Sequence, residues 1–333
     1  MGIGRLGQAL TAREIFALIQ ADLRQVEEQI AIESVAPVDT ITSIGQYLQA
    51  SGGKRLRPSL LLLTSKLTGG AGPSAIRLGA VVELIHTATL VHDDVIDGAD
   101  TRRGRPSTNA QWGNHTSVLA GDWLYMQAFQ IALRERSFRV LDVLIALTQG
   151  MVEGELLQLR RIGQIAVSEA DYMELVDRKT AGLFAACARL GALCGAAAPE
   201  FEEKLAEYGW NLGMAFQLVD DVLDFTARET VLGKPVGNDL REGKVTLPMI
   251  YALETAAPAD RAMVETILRE RSYESVPFAA ILDLVKRSGG LNRAMERAQT
   301  FSDKARESLG GLPDSPYQRA LVAITELVTD RDH

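Results

Sequence analysis

An all-α fold is what the sequence predicts, on three observations. Apolar residues recur at three- and four-residue spacing through most of the chain, no stretch sustains strand-type alternation, and the breaks fall at glycine and proline. The spacing predicts helices over residues 73–98, 116–134, 138–159, 171–194, 201–225 and 288–308. Pro58 and Pro73 suit first-turn positions, where a missing N–H leaves no helical acceptor unpaired. Interruptions are expected at Gly52-Gly53, Gly69–Pro73, Gly98–Pro106, Gly163, Pro199 and along the polar stretch from Thr226 to Thr246. There is no tandem repeat and no low-complexity linker. One domain over residues 1–333 is therefore expected, with a peripheral helix in about 1–35 and a motif-bearing core in about 40–250.

Bulk properties narrow the function classes. Hydrophobic residues make up 47% of the 333 and charged residues 23%, which suits a packed globular core. A net charge of −8 argues against nucleic acid as partner, although local cations or metal ions can still hold a small polyanion. No uninterrupted apolar run approaches the roughly 18 residues of a membrane span, and the start shows no secretory signal. Cys187 and Cys194 fall within an apolar helical pattern and read as reduced core thiols of a cytoplasmic protein.

Two acidic clusters stand out. LVHDDVID carries Asp93, Asp94 and Asp97, and QLVDDVLD carries Asp220, Asp221 and Asp224. On a helix, Asp93 and Asp97 share a face, as do Asp220 and Asp224; Asp94 and Asp221 lie about 100° around. Both clusters interrupt apolar segments, where carboxylates are costly without cations or hydrogen bonds. Six of them facing one cavity would make a hard-oxygen cage suited to Mg²⁺, which commonly bridges a few carboxylates to substrate phosphates. Basic residues accompany them: Lys54, Arg55 and Arg57 in GGKRLRP, then Arg102-Arg103, Lys179-Thr180, Lys234 and Lys244. Together they offer two ways of binding a diphosphate, one bridged by metals and one held directly by lysine and arginine.

In order and type these motifs closely resemble the trans-prenyltransferases, or polyprenyl synthetases, of the isoprenoid synthase fold. The residues carrying the resemblance are GGKRLRP at 52–58, DDVID at 93–97, RRG at 102–104, GD at 121–122, KT at 179–180, FQLVDDVLD at 216–224 and the GK pairs at 233–234 and 243–244. The resemblance implies a bundle of long helices around a deep cavity, usually as a homodimer, with both acidic motifs facing each other across its mouth. It assigns the six aspartates to Mg²⁺, three ions with substrate bound, though not every one need ligate directly. It assigns Arg102, Lys179 and Lys234 to an allylic diphosphate. Lys54, Arg57, His86 and Arg103 go to isopentenyl diphosphate, and Thr180 and Gln217 to the space around the reacting carbons. The implied reaction is ionisation, condensation and elimination. A product this apolar implies transient membrane contact at release.

The same resemblance makes side chains upstream of Asp93 the control on product length. Thr89 and Ala88 are small, Ile85 is medium-sized, and Ala132 and Leu144 are candidates for the opposing wall and floor. These residues predict a long all-trans product, with a geranylgeranyl- or farnesyl-length product as the alternative. Three rival readings remain. His92-Asp93 is an HD dyad, as in helical metal-dependent phosphohydrolases, but His86, His92, His115 and His333 are the only histidines. A terpene cyclase would not need GGKRLRP or the second full acidic motif. A non-catalytic subunit of a heteromeric synthase would not need intact acidic motifs.

Overall fold

The computed structural model describes residues 10–70, 72–226 and 236–330. The N-terminal segment forms two helices where one was expected, α1 (Ala12–Ala17) and α2 (Gln20–Glu33), broken at Leu18-Ile19. Thr11 starts α1 with a capping box to Glu14. Val26 and Ile30 face inward from α2, which packs on α5.

Next come α3 (Asp39–Ala50), α4 (Leu56–Leu67) and α5 (Pro73–Ile96), the last opened by Pro73 in its first turn. By length and mean hydropathy α5 could cross a membrane, the one helix among the described residues that could. Two-thirds of that window, 67%, is buried inside the protein, so its apolarity is that of a core helix. A two-residue hairpin follows, β1 (Thr101–Arg102) and β2 (Arg105–Pro106). Periodicity cannot reveal so short a feature. Its turn residues, Arg103 and Gly104, both take positive φ (53° and 73°), the geometry that closes a two-residue loop.

The chain continues through α6 (Thr108–Trp112), α7 (Asn114–Ala132), α8 (Phe138–Arg161) and α9 (Glu169–Val176). A single π-helical turn, Asp177–Ala181, joins α9 to α10 (Gly182–Cys194). The predicted helix over 171–194 is thus continuous in direction but widened by one turn. Then come α11 (Pro199–Thr226), α12 (Asn238–Arg241), α13 (Leu247–Glu254), α14 (Pro258–Glu270), α15 (Phe278–Arg287), α16 (Gly290–Ser308) and α17 (Pro316–Thr329).

A contiguous apolar core runs from Ile15 to Val328 and has α4, α5, α10 and α11 at its centre. One contact matters most for the site. A Cβ at Gly213 of α11 would lie 2.6 Å from Ala181 Cα and 3.1 Å from Phe184 Cβ. Without a side chain there, α11 can press its second acidic motif against the π-turn that carries Lys179 and Thr180. Gly213→Val should therefore push these elements apart and destabilise the fold by about 1–3 kcal/mol or more, an overpacking cost. Denaturant unfolding checks this; an unchanged midpoint would contradict the close contact.

Candidate active site

The two acidic motifs meet at one chamber. Asp93 from α5 and Asp220 and Asp221 from α11 line a cavity of about 340 Å³ together with Lys179 and Thr180 of the π-turn, Gln217, Arg57, His86 and Arg102. Convergence comes from chain direction: α5 and α11 deliver their C-terminal turns to the same end of the bundle.

The remaining three aspartates have other partners. Asp94 is buried and accepts from Arg102 Nε at 2.6 Å, which ties α5 to the hairpin. Asp97 accepts from Lys244 Nζ at 3.0 Å; the same lysine reaches Glu242 at 2.7 Å. Asp224, 1% exposed, accepts the backbone N–H groups of Asn238 and Asp239 at 3.3 and 3.2 Å and so anchors the start of α12.

Burial weighs most on the carboxylates of the chamber. Burial pushes the Asp93 carboxyl up to about 6, with Glu155 and Asp97 adding to the effect against Lys179. Burial, then the charge of Asp239, pushes Asp221 well above the ordinary carboxylate range, although Tyr172 and Gln217 hydrogen-bond to it. Tyr172 donates its hydroxyl to Asp221 Oδ2 at 2.5 Å and Gln217 donates Nε2 to Oδ1 at 2.8 Å. Gln217 Oε1 in turn accepts from the Thr180 hydroxyl at 2.9 Å. Thr180, Gln217, Asp221 and Tyr172 form one chain of bonds along the chamber wall.

Among the described residues no three carboxylate, histidine or cysteine groups stand close enough together to hold an ion unaided. The donor set nevertheless fits Mg²⁺ well. It is all oxygen, and Mg²⁺ takes one or two carboxylates when phosphate oxygens and waters fill its other positions.

A cationic end lies beside the carboxylates. Arg57 is packed against the Phe184 ring with its guanidinium carbon 5.3 Å from the centroid, and its Nε is a buried donor without a protein acceptor. His86 is pushed well below its ordinary range by burial, then by Arg57, Arg103, Arg102 and Arg55, so it is neutral at pH 7. A smaller cavity of about 40 Å³ shares His86 and Arg102 with the chamber and adds Arg103. Arg103 donates to the Gly52 carbonyl, while Arg55 is spent on Glu27 and Glu83 at 2.9 and 2.7 Å. Lys54 stands exposed on its loop and lines neither cavity. Lys234 lies outside the described residues.

An apolar cavity of about 350 Å³ adjoins the chamber and shares Thr89, Asp93, Met151 and Lys179 with it. It runs between α5, α7 and α8, walled by Tyr125, Val152 and Leu156. Of the expected length-controlling residues only Thr89 borders it. Ala88, Ile85, Ala132 and Leu144 are fully buried and line neither space, because α5 packs tightly against its neighbours below Thr89. His92 faces this apolar side, with Nε2 3.1 Å from the Val118 carbonyl oxygen and 3.4 Å from Asp122. That position takes it away from the chamber and from the HD-type reading.

Glu155, Gln158, Tyr172 and Asp239 are wall residues that sequence reasoning passed over. Tyr172, whose hydroxyl must find a partner once buried, was the one usable signal.

In the metal-free fold Asp93 holds a proton below about pH 6, well above the ordinary carboxyl value of 3.8. Its ionisation therefore opposes folding above pH 6, and this destabilisation fades as pH falls toward 3.8. An ion bound at Asp93 must displace that proton. Mg²⁺ affinity should fall roughly tenfold per pH unit below pH 6 for each proton displaced. Calorimetric titration between pH 5 and 7 reads this, with Asp93→Asn as control; a pH-independent affinity would contradict it.

Known proteins supply an independent comparison. The polyprenyl synthetase family model matches residues 38–285. An octaprenyl diphosphate synthase from Escherichia coli is 37% identical over 323 residues, which is 97% of this chain and 100% of that protein. A geranylgeranyl diphosphate synthase from Methanosarcina mazei is also 37% identical, over 91% of this chain and 94% of its own. Among solved structures, a polyprenyl synthase from Caulobacter crescentus complexed with calcium and isoprenyl diphosphate superposes with a TM-score of 0.92 at 35% identity, covering 98% of this chain and 99% of that one.

Proposed function

The chain belongs to the polyprenyl synthetase family, and we propose that it condenses isopentenyl diphosphate with an allylic diphosphate to build a long-chain all-trans polyprenyl diphosphate. The observation that carries this reading is the meeting of Asp93, Asp220 and Asp221 with Lys179 and Arg102 around one chamber.

When bound there, divalent ions (Mg²⁺ in our reading, three with substrate present) are held through Asp93, Asp220 and Asp221 and supply Lewis-acid stabilisation of the departing pyrophosphate. Asp94, Asp97 and Asp224 brace the elements that carry those ligands, through Arg102, Lys244 and the start of α12. Arg102 and Lys179 bind the allylic diphosphate directly, and Lys234 joins them in the family reading. Arg57, Arg103 and neutral His86 hold isopentenyl diphosphate, and the family resemblance adds Lys54, which stands exposed on its loop. The buried, unpaired Nε of Arg57 supports that assignment, since an anion would give it an acceptor.

As the allylic C–O bond breaks, the Thr180 hydroxyl and Gln217 carbonyl oxygens turn the negative ends of their dipoles toward the developing cation. Leu90, Leu183 and Val176 in the chamber wall exclude water that would trap it. Isopentenyl carbon attacks, and the proton then lost goes to released pyrophosphate. No wall carboxylate is needed as a base.

Asp93→Ala or Asp220→Ala should lower incorporation of radiolabelled isopentenyl diphosphate by several orders of magnitude while circular dichroism stays native; near-normal turnover in either contradicts the assignment. A geranylgeranyl-length product is the second reading, because relatives of both product lengths are equally identical to this chain. Space favours the longer one. The small Thr89 opens the chamber onto the apolar cavity between α5, α7 and α8. Thr89→Phe should block that neck and shift the product made from farnesyl diphosphate to shorter chains on reversed-phase chromatography. An unchanged product profile would remove the neck from the tail's path.

We further assign the chain to a homodimer, in a cytoplasmic setting supported by free Cys187 and Cys194. Leu119, Met126 and Leu133 recur at seven-residue spacing along α7 and the turn after it, and Phe138, Ile145, Val152 and Leu159 do so along α8, all exposed. Two such stripes make a seam that a second copy would bury. Ile145→Glu with Val152→Glu should halve the sedimenting mass; an unchanged mass would place the interface elsewhere.

A further inference from the structure

Lys179 lies where the polar chamber meets the apolar cavity and lines both. Its ammonium is gripped from α8, by an ion pair with Glu155 and by a hydrogen bond donated to Gln158 Oε1 at 3.2 Å. An ammonium has three donors. One is given to Gln158 and the charge is held by Glu155, which leaves a donor for a ligand in the chamber.

The neighbouring residue on the π-turn is held by the same stretch. Arg178 pairs with Glu153 on α8 and with Glu174 one turn back. Between the two glutamates, Gly154 is the contact point: a Cβ there would lie 2.8 Å from Arg178 Cβ and 3.1 Å from Lys179 Cγ. Glu153-Gly154-Glu155 is thus a seat for Arg178-Lys179, acid against base on each side and backbone against side chain in the middle. The Glu155 side chain is only 14% exposed and Lys179 22%, so bulk water screens their attraction weakly.

We propose that Glu155 is a positioning residue for prenyl transfer: it holds Lys179 at the neck so that its remaining donor meets the allylic diphosphate. The proposal rests on the reaction assigned above. A lysine stem has several freely rotating bonds, and a misplaced cation loses most of its effect on a leaving group whose position is set by other contacts. Glu155 acts through Lys179 and touches no reacting atom.

The full-length chain and its Glu155→Ala, Lys179→Ala and double variants test this with farnesyl and isopentenyl diphosphates. Glu155→Ala should lower kcat/KM for the allylic substrate by about tenfold, with KM for isopentenyl diphosphate unchanged. In the Lys179→Ala background the same change should add nothing. Glu155→Gln, which keeps an acceptor in place, should recover much of the loss. Equal losses in both backgrounds would mean a merely structural role and overturn the proposal. A lower allylic KM in Glu155→Ala would also overturn it, since the carboxylate would then only oppose the incoming anion. Calorimetric titration of the same proteins with Mg²⁺ and pyrophosphate reads the pair without turnover. Coupling there alongside a wild type that transfers no prenyl group would overturn the assigned reaction and keep the positioning role. Absence of coupling in both measurements overturns the role itself.

Discussion

Carboxylates crowded into an apolar wall repel one another and lose hydration, and the rest of this structure is organised around that constraint. Asp93, Asp220, Asp221 and Asp239 border one chamber. Burial lifts Asp93 to about 6 and Asp221 well above its ordinary range, which measures how far these carboxylates are taken out of water. Hydrogen bonds from Tyr172 and Gln217 offset part of the cost at Asp221. Divalent cations and a diphosphate would restore to these carboxylates the ligands that burial removes.

The supporting residues divide the labour. Asp94, Asp97 and Asp224 belong to the same two motifs as the chamber carboxylates, yet each is tied to a different structural element: the hairpin, Lys244 and the start of α12. Each motif thereby supplies groups that face the ligand and groups that hold the mouth of the bundle in shape. Beside them, Arg57, Arg103 and neutral His86 make a cationic pocket without metals. Two anions can then be bound side by side by different means. A reaction that expels one diphosphate and retains the other requires that asymmetry.

Helices and both acidic motifs were legible from periodicity and spacing, because helical faces and paired carboxylates leave a local signature. The resemblance carried the basic residues to their positions, and the structure brings Arg57, His86, Arg102, Lys179, Thr180 and Gln217 to the chamber. What stayed hidden depends on contacts distant in sequence. The β1–β2 turn is too short for any period. The π-turn at Asp177–Ala181 differs from α-helix by one residue per turn, and Gly154 matters only once α8 meets it. Glu155 reads as an ordinary exposed charge until Lys179 is found beside it. Ala88, Ile85, Ala132 and Leu144 show the converse. Small or medium size suggested an open tunnel, but packing below Thr89 fills that space and the adjoining cavity lies sideways.

Acidic groups from α5 and α11 are proposed to act on one shared set of ions across the chamber. Diffraction at the manganese absorption edge, from crystals grown with Mn²⁺ and pyrophosphate, tests it directly. Anomalous peaks are expected within coordination distance of Asp93 on one side and Asp220 or Asp221 on the other, bridged by a single pyrophosphate. Peaks confined to one motif, or scattered over the outer surface with the chamber empty, would contradict it.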